Sequence, residues 1–206
     1  MNKSAHILTA LLLLVPMVTL HAKGPELRYG AEWGAMLSYW QHYHYNYLTD
    51  AQARVDTQDS RYTSHPNGLV SVYAGVQTGR KWETDVCIGY MGIAPGRRVV
   101  PVTVRLNYFF SSVHKDGGFK MFCEGGPLIT NHFQERLSWG LRAGAGRRMM
   151  LSDRLGLDLS LSVLQSFDHP ESPIYDPSHR LYVPGERIRR ANTAYRALCL
   201  SLSLNL

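Results

Sequence analysis

The sequence predicts an all-β chain: an eight-stranded antiparallel up-and-down transmembrane β-barrel. Three observations predict it. Stretches along the whole chain alternate apolar and small polar residues with a period of two, which puts the two sets on opposite faces of an extended strand. The stretches number eight, and the connections between them differ in length, with long polar segments at one end and tight turns at the other. The polar faces are rich in glycine, and the apolar faces end in aromatics.

The cleanest stretch is 154–167, RLGLDLSLSVLQSF. Leu155, Leu157, Leu159, Leu161 and Val163 share one face; Gly156, Asp158, Ser160, Ser162 and Leu164 share the other. The last stretch repeats the design, with Leu198, Leu200, Leu202, Leu204 and Leu206 alternating with Cys199, Ser201, Ser203 and Asn205.

In chain order, Met1–Ala22 reads as a signal peptide: Lys3 is the basic start, Ile7 to Leu20 the apolar run, and Ala22 the small residue at the cut. Residues 23–206 then form one domain. The first strand runs from about Leu27 to Tyr45, with Leu27, Tyr29, Ala31, Trp33, Ala35, Leu37 and Tyr39 on one face. A polar segment from about Leu48 to Asn67 has no periodicity and reads as a long loop. The second strand starts near Gly68 and turns at Gly79-Arg80 into a third, Trp82 to Tyr90. The fourth, Val100 to Phe110, contains Pro101, which belongs near a strand end. After a turn at Lys115–Gly118, the fifth strand, FKMFCEGGPLI, is irregular. Phe122 shares the parity of Glu124 and Gly126, so a bulge is expected there. A loop around Asn131-His132 leads to the sixth strand, from Trp139, and Ser152-Asp153 turns into the seventh. A proline-bearing segment, about Asp168 to Arg190, precedes the eighth.

The chain has 206 residues and a net charge of +6, with Arg97, Arg98, Arg147, Arg148, Arg187, Arg189 and Arg190 placed in loops. Without a nucleic-acid motif, this charge suits lipid phosphate, and no nucleic acid is expected as partner. The three cysteines, Cys87, Cys123 and Cys199, read as buried free thiols and lack zinc-site spacing.

The glycines decide which face points out. Gly30, Gly34, Gly75, Gly89, Gly126, Gly140 and Gly144 would weaken a water-facing strand, but they suit a narrow lumen already filled by side chains. Two aromatic girdles agree: Trp82, Tyr108 and Phe110 at the turn end, and Tyr43, Tyr45, Tyr90, Trp139, Phe167 and Tyr195 at the loop end. The competing arrangement, a soluble exported lipocalin-like binding barrel, would turn the apolar face inward. On this reading Leu159 faces lipid at mid-membrane, whereas Asp158 faces the lumen with Arg142 as its counterpart.

The signal peptide, eight alternating strands and terminal ALCLSLSLNL resemble the small outer-membrane β-barrels of Gram-negative bacteria, the OmpA/OmpX-like class. The terminal Leu206 departs from the aromatic residue usual there. The resemblance implies an outer-membrane location, periplasmic termini and extracellular long loops. It also implies the barrel-assembly machinery, outer-membrane lipid and lipopolysaccharide as partners, and a non-enzymatic role in surface interaction or envelope integrity through the loops. An extracellular protein is a further candidate partner.

Few residues suggest chemistry. Arg28, Arg105 and Arg142 face Glu32, Glu83, Asp85, Glu124 and Asp158 in the predicted lumen, which reads as a packed, paired interior rather than an ion path. His42 and His44 share a strand face, and His65, His169 and His179 fall in the long loops; scattered imidazoles are the simpler reading than a metal site. A lipid A-modifying enzyme, deacylase or acyltransferase, is the alternative function. Its nearest stretches are Ser64-His65-Pro66-Asn67 and Ser178-His179, and neither forms a triad. The sequence therefore assigns no catalytic, cofactor or metal residues. The remaining candidates are the loop residues Ser172–Pro177 and the Arg187–Arg190 cluster, as a contact surface.

Overall fold

The computed structural model describes residues 27–49, 51–94, 97–111, 117–130, 138–152, 155–169, 175–176 and 181–206. The expected signal peptide and several loop residues, among them His132, Ser172 and His179, lie outside these. The wall strands are β1 (Leu27–Leu48), β2 (Arg54–Gln77), β3 (Trp82–Ala94), β4 (Arg97–Phe109), β5 (Gly118–Thr130), β6 (Ser138–Met150), β7 (Gly156–Asp168) and β10 (Ile188–Asn205). Two-residue strands β8 (Tyr175–Asp176) and β9 (Leu181–Tyr182) pair with each other outside the wall. The eight long strands close in the order β1-β10-β7-β6-β5-β4-β3-β2, each antiparallel to its neighbours.

The barrel is inside out. Val72, Val86, Ile88, Leu106, Leu141, Leu161, Val163, Leu198 and Leu200 are exposed on its outer surface. Glu32, Asp85, Arg105, Arg142, Arg148, Asp158 and the serines of β7 and β10 are buried within it. Water would leave this arrangement unstable, because the apolar surface gains nothing by facing it. The period-two pattern is therefore read correctly, and the apolar-inward alternative is not the one adopted. The interior is narrow. A Cβ on Gly30 would lie 2.6 Å from the Tyr73 ring, and one on Gly144 would lie 2.9 Å from the Phe122 ring, so these glycines make room for inward aromatics.

Several expectations need correction. The polar segment 48–67 is not a loop: β1 and β2 stay paired from Leu27↔Val76 to Leu48↔Arg54. Both faces of this extension are polar, so no alternation marks it as strand. The fifth strand has no bulge; its register against β6 is constant from Gly118↔Arg148 to Leu128↔Ser138. Phe122 simply points inward, where cations stack on it.

The bulge sits instead in β1, between Ser38 and Trp40. It reverses the parity of the strand beyond it, so Tyr43 and Tyr45 share the inner face with Gln41 and leave the outer girdle. Tyr195 is also inward, opposite Gln41 and Ser166. The outer girdle at that end keeps Tyr90, Trp139 and Phe167, all exposed. At the turn end Trp82, Tyr108 and Phe110 form the expected girdle, with ring centroids 4.8 and 5.5 Å apart.

Pro101 lies inside β4 rather than near its end. Pairing of β3 with β4 skips from Ile88↔Val102 to Met91↔Val99, which leaves the proline without a ladder partner on that side. Cys87 and Cys199 are buried free thiols, but Cys123 is exposed on the outer wall. Arg97, Arg98, Arg147 and Arg148 are strand residues, and Arg148 is fully buried.

Candidate functional site

Two regions carry polar side chains in defined geometry: the lumen and the rim at the long-hairpin end. In the lumen, charges from different strands meet in two clusters. In one, Glu32 of β1 accepts from Arg142 Nη2 at 2.9 and 3.0 Å and from Arg105. Glu124 accepts from Arg105 Nε at 2.9 Å and from the Thr103 hydroxyl at 2.6 Å. The Arg105 and Arg142 guanidiniums lie 5.4 and 5.2 Å from the Phe122 ring centroid. In the other, Asp158 accepts from Arg148 at 2.8 and 3.0 Å and from Lys120. Arg148 also donates to Glu83 at 3.0 Å and to Asn205 at 3.0 Å, and rests on Phe109 at 4.7 Å. Arg28 lies 3.8 Å from Glu83. Asp85 is held by Asn107, which donates at 2.7 Å.

Every candidate lumen charge is thus inside, but the pairing differs from expectation. Asp158 meets Arg148 and Lys120 rather than Arg142. Lys120 is also inward, and its parity with Glu124 is the sequence signal for that. Toward the long-hairpin end the lumen is closed by an apolar layer of Met36, Leu69, Met91, Ile93, Val99, Leu128 and Leu164. The sequence signal for these residues is apolar side chains standing on polar parity. The space between Glu124, Leu128, Arg142 and Leu164 is about 30 Å³, room for about one water. Above the apolar layer, Arg97 holds Asp168 at 2.7 and 2.8 Å, and Ser138 donates to the same carboxylate at 2.5 Å.

At the rim, the wall continues as a three-stranded sheet. β3 pairs with β2 no further than Leu69↔Met91, and β7 pairs with β10 no further than Thr193↔Asp168. Beyond these points β2, β1 and β10 run on together, up to Leu48↔Arg54 and Tyr47↔Ile188. Among the described residues, one edge of β2 has no strand partner over residues 54–68. Arg54, Asp56, Asp59, Arg61 and Pro66 lie along it, the residue types that discourage indiscriminate strand pairing.

The described histidines do not converge. His42 bonds Ser60 at 2.7 Å, His44 bonds Asp56 at 2.8 Å, and His169 bonds Asn192 at 2.9 Å. His65 lies in β2 rather than a loop, opposite Ser38. No group of three metal-ligating side chains occurs among the described residues. Ser64 and His65 are consecutive on a strand and so face opposite sides, which no Ser–His dyad can use. Ser178-His179 lies outside the described residues, as does most of Ser172–Pro177. Of the basic cluster, Arg187 closes a short 3-10 turn, and Arg189 and Arg190 begin β10.

The His44 hydrogen bond holds the Asp56 carboxyl below the ordinary aspartate range, with Asn46 and Arg54 helping. A carboxyl depressed in the folded state contributes stability above its unfolded pKa and loses it as pH falls through the folded value. We expect the protection of the hairpin amides, after correction for intrinsic exchange at each pH, to fall only at the acid end of a titration. In Asp56→Asn that pH-dependent step should be absent; its persistence would show that another group is responsible.

No protein-family model matches the chain, and no curated protein matches it. Among solved structures it is similar to the outer membrane protein OprG from Pseudomonas aeruginosa, with 11% identity and a TM-score of 0.47 over 87% of this chain and 95% of that one. It is also similar to Neisserial surface protein A (NspA), with 10% identity and a TM-score of 0.43 over 88% of this chain and 98% of that one. By its closed strand ring and inverted polarity, the chain has the fold of the small eight-stranded outer-membrane barrels.

Proposed function

We propose that the chain is a non-enzymatic outer-membrane barrel whose projecting hairpin serves surface interaction, with a role in envelope integrity. The observation that carries the reading is the three-stranded sheet that β2, β1 and β10 build beyond the wall. A polar sheet on a rigid barrel presents fixed side chains and an unpaired edge, suited to a partner that adds a strand. Tyr62, 87% exposed, stands on its outer face. Membrane insertion is supported by the exposed apolar belt and by 13-residue strands in β3 to β7, longer than the roughly 9–11 tilted residues a bilayer core needs. The projecting sheet is extracellular in this reading, and the short turns and the termini are periplasmic. The barrel-assembly machinery inserts the chain, and outer-membrane lipid and lipopolysaccharide surround it. The extracellular partner is a protein with an extended segment.

The test uses the whole chain and a version in which an Asn-Gly turn replaces residues 43–59, joining His42 to Ser60 where the two strands already pair. Both should fractionate with the outer membrane and run faster unheated than boiled. Surface crosslinks to protein should be lost in the shortened form, while the lipid A profile stays unchanged on gene deletion. Recovery as a soluble periplasmic protein would overturn the membrane reading. Unchanged crosslinks would overturn the role of the hairpin, and a changed acyl count would point to the enzyme alternative.

A further inference from the structure

The outer wall is not uniformly ridged. A groove of about 810 Å³ crosses it from β10 to β4, lined among others by Leu202, Trp33, Val70, Tyr90 and Arg98. The reason lies in one row of side chains. Ala35 pairs with Leu200 on one side and Gly68 on the other, and Gly92 pairs with Arg98. Ala35 and Gly68, two small residues on adjacent strands, form a trough between larger neighbours, bounded toward β3 by the Asn67 amide, whose Oδ1 lies 2.8 Å from where a Cβ of Gly92 would stand. Gly68 is exposed, and a Cβ there would meet nothing nearer than a backbone oxygen at 3.7 Å, so the trough is open at Gly68.

The chemistry of the lining is one-sided. Among the described residues, Arg98 is the only charged one in the lining, and no carboxylate joins it. Arg98 lies at the hairpin end of β4, two residues beyond the outward Val100, where the apolar belt gives way to the headgroup layer. Its Nη1 donates to the hydroxyl of Tyr90, another lining residue, at 3.4 Å. A guanidinium at the headgroup level selects an oxyanion, phosphate above all. The apolar trough below it, running toward Trp33 and Leu200, selects hydrocarbon.

We propose that this groove seats one acyl chain of an anionic phosphate-bearing lipid, with the lipid phosphate on the Arg98 guanidinium. The proposal rests on the membrane reading above. It assigns the chain a specific lipid site on its wall, separate from the projecting sheet. The lipid caps a stretch of wall whose own side chains are too small to meet the surrounding hydrocarbon evenly.

Native mass spectrometry of the full chain in detergent tests it, with dioleoylphosphatidylglycerol and dioleoylglycerol as probes. The unmodified protein should retain one phosphatidylglycerol and no more than background dioleoylglycerol, a comparison that needs no variant. Arg98→Gln should lower retention about tenfold, the scale of one charge-assisted hydrogen bond. Gly68→Leu, whose side chain would fill the trough without touching Arg98, should lower it similarly. Equal retention of the two lipids, or unchanged retention in both variants, overturns the site. The heat-dependent gel shift, read on the same samples, keeps the two readings apart. A shifted, folded barrel that retains no lipid refutes the groove alone, and absence of the shift refutes the membrane barrel itself.

Discussion

Asp158→Asn is expected to destabilise the barrel by about 3–5 kcal/mol, the cost of breaking a buried ion pair by removing one partner. Asp158 is 0% exposed and accepts from Arg148 twice and from Lys120. Asparagine keeps the shape but offers one oxygen and an NH₂ where only acceptors fit, so donors face donors. Lys120 is buried, and Asp158 is its one carboxylate partner among the described residues. Arg148 keeps Glu83, so most of the penalty falls on Lys120. Urea titrations of the refolded protein in bilayers would measure the loss. Adding Lys120→Met should recover part of it by removing the stranded charge, as a double-mutant cycle would show. A neutral Asp158→Asn, or a second mutation that simply adds, would mean that the cluster is not coupled. The sequence offers Arg142 as the counterpart of Asp158; the structure puts two other cations, Arg148 and Lys120, on that one carboxylate.

Leu161→Arg is expected to cost about 2–4 kcal/mol, the midplane value for a cation on the lipid face of such a barrel. Leu161 is 59% exposed, and its cross-strand neighbours are Ala145 and Leu200, within the aliphatic belt. Leu159, placed by the sequence at mid-membrane, pairs instead with Arg147, which lies 5.7 Å from the Phe119 ring among the turn-end aromatics. Leu159→Arg should therefore cost less, because a long side chain there reaches the headgroups. Unfolding in bilayers of both variants checks the depth order. Equal costs would place the two residues at one level. A near-zero cost for Leu161→Arg would count against lipid on that face.

The local pattern was legible. A period of two states which side of the strand each residue takes, so the eight strands, the aliphatic belt and the inward set Glu32, Glu83, Asp85, Arg105, Glu124, Arg142 and Asp158 follow from neighbours in sequence. The inner glycines decided polarity correctly, because only a crowded lumen makes room for Tyr73 and Phe122 by omitting side chains. Where the pattern stopped, the reading stopped. The projecting sheet is polar on both faces, so residues 54–66 carry no alternation, and backbone pairing alone keeps them extended. The bulge near Tyr39 shifts the parity by one, and that single step moved Tyr43 and Tyr45 from the expected girdle to the inner face.

Which charges meet was decided only in three dimensions. Glu32 reaches Arg142 across 110 positions of sequence, and Asp158 reaches Lys120 across 38. Such pairs depend on the height of each residue along the tilted wall, which is set by register and shear around the whole ring. The apolar layer of Met36, Val99, Leu128 and Leu164 assembles for the same reason, from strands that each contribute one or two residues at one level. The open stretch of the groove beside Arg98 likewise depends on Ala35 and Gly68 falling opposite each other on adjacent strands. Side-chain direction is a property of two adjacent residues and is written in the sequence; height in a closed ring is a property of all eight strands together and is not.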